Sequence, residues 1–229
     1  MKNEITYRVW GRNALFTDPV TKIGGEKSSL QIPTPQSIKG ITESIYWKPS
    51  IIWIVDEIRI MNPIQMEGKG VRPVGNVGND LARYTYLRDV EYQVRVHFVF
   101  NKNRPELKED WNENKHYFIA LRSLKAGGRR DIFLGTRECQ AYVEPVEFGN
   151  GAGAYDETDM DFGLQYHSIG YPDETGEDGM VVRFWYPQMR KGRIKCLGPD
   201  ECPKEQFIRK AARKTFSPQV NFSFAQEEG

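Results

Sequence analysis

The chain holds three histidines, His97, His116 and His167, so proton transfer by an imidazole near neutral pH must use one of them. His116 stands out because Lys115 precedes it and both fall near the predicted start of a helix. Backbone N–H groups and the helix dipole favour an anion at such an end, and a phosphate suits a lysine beside a histidine. Two solvated residues on a helix turn would have the same spacing, so the pattern alone leaves both readings open. His97 falls on the polar side of an alternating strand beside Arg95, which suits a structural or binding role. His167, between Tyr166 and Ser168 in a stretch of weak periodicity, is expected at the surface or in a loop.

Other chemistries find no foothold. There is no Walker loop, no paired-histidine zinc motif and no nucleophile elbow. Cys139, Cys196 and Cys202 are an odd number in a chain whose first residues, MKNEITYRVWGR, lack an apolar signal core, so reduced thiols are expected. Cys196 and Cys202 form half of a zinc pattern without a second ligand pair. No cofactor or metal is expected, and no window is long and apolar enough to span a bilayer, which predicts a cytoplasmic protein without a membrane partner.

The formal net charge is +1, but its distribution is uneven. Acidic residues crowd 156–161 and 173–178, and basic ones crowd 125–130, 190–195 and 209–214. The basic runs interleave with Tyr84, Tyr86, Tyr92, Trp185 and Tyr186, and single-stranded nucleic acid needs both phosphate partners and stacking surfaces. Any one run is also what a solvated helix or loop carries.

The elements that must position these residues follow from periodicity. With 229 residues and 39% hydrophobic content, the chain suits one principal domain and a smaller appendage. Ile5, Tyr7 and Val9 alternate with polar neighbours as a first strand. Thr34 caps a helix with Pro35 in its first turn and Ile38, Ile41 and Ile45 on one face, and Pro49 stops it near Tyr46. Residues 51–61 read as a strand buried on both faces, and 67–80 as a long exposed glycine-rich loop. Residues 92–100 give the clearest alternation. Tyr117, Phe118, Leu121 and Leu124 mark a second helix, ended by Gly127-Gly128, and 131–146 resumes strand character.

Strand, helix, strand, strand, helix, strand is the order of an α+β, ferredoxin-like fold, an antiparallel sheet whose second face is left for a partner. RNA-recognition modules use that face. A composition shift places a boundary between residues 1–147 and a small antiparallel β domain at 148–229, whose basic tail from residue 207 is expected to order only on assembly.

The segments ALFTDPVTKIGGEKSSLQIPTPQSIKGITESIYWKPS, YTYLRDVEYQVRVHFVF, NKHYFIALRSL and FLGTRECQAYVEPV resemble the type I-C CRISPR-associated endoribonuclease, the d-type member of the fifth Cas family. The resemblance implies metal-independent cleavage of precursor CRISPR RNA within the repeat hairpin. It implies retention of the mature RNA by its 5′ handle and assembly with the other type I-C Cascade subunits, with contact to target DNA in that complex left open. The family's catalytic tyrosine follows the first helix, where ESIYWKPS places Tyr46; its Lys-His pair opens the second, where NKHYF places Lys115 and His116. Lys69 and Arg72 in the glycine-rich stretch, and Arg129 and Arg130 after the second helix, are the candidate RNA contacts. A non-catalytic subunit that holds the handle is the alternative within the same complex.

Overall fold

Alternation in the opening residues produces a strand with one dry side: Ile5, Tyr7 and Val9 are buried in β1 (Glu4–Ala14). The computed structural model describes residues 3–22, 25–72 and 81–213. A short turn of helix, α1 (Pro19–Lys22), is followed by α2 (Pro35–Ile45), and then by β2 (Ile51–Ile60), β3 (Met66–Val71) and β4 (Ala82–Phe100). After a 3-10 segment, Pro105–Asp110, come α3 (Glu113–Lys125), β5 (Ile132–Phe133) and β6 (Gln140–Pro145). The remainder is β7 (Met160–Asp161), β8 (Gln165–Gly170), α4 (Pro172–Thr175), β9 (Met180–Trp185), β10 (Gln188–Arg190), β11 (Arg193–Lys195) and β12 (Lys204–Arg209). The fold is mixed α+β with antiparallel sheets.

The principal sheet runs β5-β6-β1-β4-β2-β11-β10-β7, and β3 pairs with the first part of β4. Tyr7 lies opposite Val94 on one side and Pro145 on the other, and Val94 lies opposite Ile58. The apolar faces of α2 (Ile38, Ile41, Ile45) and α3 (Ala120, Leu124) share one core with Ile5, Tyr7, Val96, Phe98 and Trp53. Tyr7 completes the join, its hydroxyl 2.8 Å from Thr42 Oγ1 inside that core.

The other face of the sheet carries charge in matched pairs. Arg8 meets Glu144 at 2.6 Å and Glu91 at 3.4 Å, Arg95 meets Glu57 at 3.3 Å, and His97 Nδ1 lies 2.8 Å from Asp56. These pairs leave little of the positive excess by which a surface attracts a polyanion. The hydrogen bond to Asp56, which outweighs partial burial, holds His97 above the usual imidazole range.

Several expectations from the sequence are corrected. Residues 66–71 are a strand, β3, because Met66 to Val71 pair in register with Leu87 to Ala82, so β4 begins ten residues before the alternation becomes plain. Of the stretch read as a loop, 73–80 lie outside the described residues. In β2 only the second half, Ile58 to Ile60, is buried on both sides, where β11 joins; Ile52 and Ile54 are half-buried. The inner side of α3 is rotated from the predicted stripe. His116, Ala120, Ser123 and Leu124 face the core, whereas Phe118 is 49% exposed. Within the expected unordered tail, 207–209 belong to β12, paired with β9, and 214–229 lie outside the described residues.

Past residue 147, β11, β10 and β7 extend the principal sheet from β2, and β12, β9 and β8 form a second, three-stranded sheet. The glycine-rich segment between is tied to the principal sheet by Arg59, which bonds Asp156 at 2.8 Å and the Gly151 carbonyl at 2.8 Å. Gly135, at φ +95°, sits where a Cβ would lie 2.0 Å from the Leu15 carbonyl, so this β5–β6 turn passes against the chain as only glycine allows.

Candidate active site

Local rules set the position of Tyr46. Thr34 caps α2, its hydroxyl accepting from the Ser37 amide at 3.1 Å, and Pro49 disfavours helix at Lys48. Tyr46 is therefore the C-cap residue, with extended backbone (φ −157°, ψ 128°) and its N–H bonded to Thr42. Its carbonyl accepts from Trp53 Nε1 at 2.8 Å, and its ring turns inward, fully buried.

The start of α3 supplies the other half. Asn112 caps it, its side chain accepting from the Lys115 amide at 3.0 Å, so this helix end spends a free N–H on its own cap. His116 is 0% exposed and hydrogen-bonded through both nitrogens: Nε2 lies 2.8 Å from the Asp110 carbonyl and Nδ1 2.8 Å from the Tyr46 hydroxyl. A carbonyl only accepts, so Nε2 carries the proton. Nδ1 of the neutral ring then accepts from Tyr46. The ring packs edge-on to Phe98 and Phe100, and Trp111 stacks on Phe100.

Burial holds His116 below the usual imidazole range, against the opposing pull of Asp110. Burial and the Asp110 charge push Tyr46 up to about 12, although Arg129 works the other way, its guanidinium 5.3 Å from the ring centre. Asp110 is the hub. Its carboxylate receives the Lys115 ammonium on one oxygen and the Ser50 hydroxyl, at 2.5 Å, on the other. Those bonds outweigh partial burial and hold the carboxyl below its ordinary range.

The three residues singled out in the sequence thus converge from segments 70 positions apart. They differ in access: Lys115 is about half exposed, whereas Tyr46 and His116 reach no solvent. Arg129 and Arg130 are exposed beside them, both amides bonded to the Ser44 carbonyl. Lys69 and Arg72 belong elsewhere. Lys69 pairs with β4 opposite Tyr84, bonds Asn13 at 2.9 Å and approaches Glu67, and it lies up to roughly 45 Å along the strand from the Phe98 that supports His116. Asp110 and Ser50 went unread in the sequence, since KEDWNENKH contains no spacing that marks an aspartate six positions before a histidine as its partner.

His167 corrects another expectation. It is buried in β8, not at the surface, with Nδ1 2.8 Å from Ser168 Oγ, Nε2 3.1 Å from the Leu197 carbonyl and its ring against Trp185. Burial pulls its pKa down to about 4. The unfolded chain then binds this proton near pH 6.5 and the folded chain does not, so stability is full above 6.5 and is lost as pH falls toward 4. From pH 6.5 to 5 this group costs about 2 kcal/mol. Urea unfolding of His167→Gln should show an acid-induced loss smaller by that amount, and equal losses in both proteins would refute the assignment.

Among the described residues, no three His, Cys, Asp or Glu side chains are grouped to hold a metal ion. No helix of the described residues is long and apolar enough to cross a membrane. The model of the family described as CRISPR-associated protein (Cas_Cas5), Cas5d branch, matches residues 4–197. The chain belongs to the Cas5d family. The resemblance read from the sequence segments is borne out. The CRISPR pre-crRNA endoribonuclease Cas5d of Mannheimia succiniciproducens is 26% identical over 223 residues, covering 85% of this chain and 95% of that protein. The protein of the same name from Thermus thermophilus is 26% identical over 190 residues, 77% of each chain. Among solved structures, a CRISPR-associated protein is 35% identical with a TM-score of 0.77, covering 89% of this chain and 96% of that one. A functionally uncharacterized protein from Streptococcus mutans, SMU1763c, is 37% identical with a TM-score of 0.75 over the same shares.

Proposed function

We propose that this Cas5d-family chain is a metal-independent endoribonuclease that cuts precursor CRISPR RNA within its repeat and then holds the 5′ handle beside the other Cascade subunits. The observation that carries this reading is the Tyr46–His116 hydrogen bond with Lys115 adjacent, one phenol, one neutral imidazole and one ammonium drawn from two helix ends. The order β6-β1-β4-β2, with α2 and α3 on one face, supports a ferredoxin-like RNA-binding and catalytic unit over residues 1–147, followed by the β-rich remainder.

The RNA's 2′-oxygen attacks the adjacent phosphorus, the bond from phosphorus to the 5′-oxygen breaks, and the products are a 2′,3′-cyclic phosphate and a 5′-hydroxyl. With Tyr46 held near 12, free tyrosinate is scarce at neutral pH. The phenol therefore orients the 2′-hydroxyl and relays its proton, passing its own to His116 Nδ1 as it accepts the substrate's, while the departing 5′-oxygen takes a proton from water and the imidazolium returns its own to solvent after release. Lys115 stabilises the charge gathering on the phosphorane. Arg129 and Arg130 guide the strand at the site, while Lys69 and Arg72 engage a distant part of the RNA. Incubating the protein in EDTA with a repeat RNA, unmodified or 2′-deoxy at the scissile position, tests the chemistry. The unmodified RNA should be cut and the deoxy RNA left whole; the reverse of either result refutes the corresponding half.

The burial of Tyr46 and His116 favours a second reading, a non-catalytic subunit that binds the handle through the same cations. It expects tight RNA binding with no product from either substrate.

A further inference from the structure

Lys115 is the member of the site that faces solvent, and its ammonium is already occupied. The Asp110 carboxylate holds it, and Ser50 holds that carboxylate in turn through a 2.5 Å hydrogen bond to the other oxygen. Asp110 also covers His116, its carbonyl 2.8 Å and its carboxylate 3.5 Å from Nε2. One residue at the end of the 3-10 segment thus touches both Lys115 and His116. We propose that Asp110 is the positioning residue of the site: its carboxylate keeps for Lys115 the place that the scissile phosphate takes, so that RNA binding exchanges carboxylate for phosphate at the ammonium while the Asp110 carbonyl stays on His116 Nε2. This rests on the reading that RNA phosphate docks at Lys115, but not on cleavage.

The exchange is a matter of like chemistry. A carboxylate oxygen and a phosphate oxygen offer the same charge-assisted acceptor, and a phosphate brought to the ammonium beside the carboxylate meets that anion's repulsion. A pair with both ends partly exposed is worth little in water, so the grip yields to a ligand that brings further contacts. Charge around His116 and Tyr46 comes from Asp110, from Lys115 on α3, from Lys48 beyond α2 and from Arg129 over the phenol. Asp110 is the one anion of that set.

The test compares wild type, Asp110→Asn, Lys115→Ala and the double variant for binding of a repeat RNA that is 2′-deoxy at the scissile position. Asp110→Asn should bind roughly two- to fivefold tighter, because the competitor for Lys115 is gone. Its slope of log affinity against log salt should stay that of wild type, because Lys115 neutralises the same phosphate in both proteins. Lys115→Ala should make the slope shallower by about 0.7, and in that background Asp110→Asn should give less tightening than it gives with Lys115 present. An Asp110→Asn protein with wild-type melting and unchanged or weaker binding overturns the proposal, as does an equal tightening without Lys115. Wild type supplies an arm free of folding effects: the 13C carboxyl resonance of Asp110 should move on saturation with this RNA, and a fixed resonance overturns the exchange. In cleavage, Asp110→Asn should shift the acid limb of the rate profile to lower pH, since the carboxylate that favours the imidazolium is removed, and a purely structural role would lower the rate without moving that limb. A wild-type protein that binds but does not cut refutes the ribonuclease reading and leaves the binding arms intact.

Discussion

His116→Ala is expected to slow repeat-RNA cleavage by about 10²–10⁴-fold, the range that a positioned proton-transfer group contributes. The loss follows from the hydrogen bonds. The Nε2 proton is committed to Asp110, so Nδ1 is the basic atom, and it meets the Tyr46 hydroxyl. Without it the phenol has nowhere to send its proton, and a group near 12 cannot take one from the 2′-hydroxyl at neutral pH. Because His116 is fully buried, truncation also opens a hole and strands the Tyr46 hydroxyl, so the rate must be read alongside a melting curve and binding of the 2′-deoxy RNA. In wild type, burial keeps the ring neutral below 6.5, and the rate on the acid side should be half-maximal below that pH. A folded His116→Ala protein that cuts at the wild-type rate would end the relay mechanism.

What could be read in advance divides by the distance over which the determining forces act. The strand at β1, the Thr34 cap, the stop before Pro49 and the glycine end of α3 depend on neighbours a few residues away, and each was legible. The mismatches share a different cause. β3 is a strand because β4 offers it a partner, although Gly68, Lys69 and Gly70 have poor strand propensity. The inner face of α3 turns toward His116 because Tyr46 and Asp110 satisfy a ring that periodicity alone would send outward. His167 is buried because Ser168 and the Leu197 carbonyl take both its nitrogens. At the site the resemblance supplied Tyr46, Lys115 and His116, whereas spacing alone suited Lys115 and His116 better to a solvated turn. Asp110 was illegible, since half its role belongs to a backbone carbonyl that any residue type carries.

Trp53 is where stability and the site meet, and it should give the largest stability effect. Its side chain is 1% exposed, lies edge-on to Phe98 with ring centres 5.4 Å apart, and donates from Nε1 to the Tyr46 carbonyl. Trp53→Ala removes this large core side chain and is expected to cost about 3–5 kcal/mol, measured by urea unfolding. Trp53→Phe separates the packing from the hydrogen bond. It keeps most of the apolar contact but leaves the Tyr46 carbonyl without its indole donor, at a cost of about 1–3 kcal/mol. That carbonyl belongs to the C-cap residue whose side chain must meet His116, and a small misplacement of a proton-relay group lowers rates out of proportion to stability. Trp53→Phe should therefore lose cleavage at temperatures where it is still fully folded, while binding 2′-deoxy RNA as wild type does. If cleavage instead stays at the wild-type rate wherever the variant is folded, Trp53 serves the core alone and the position of Tyr46 is fixed by its helix end.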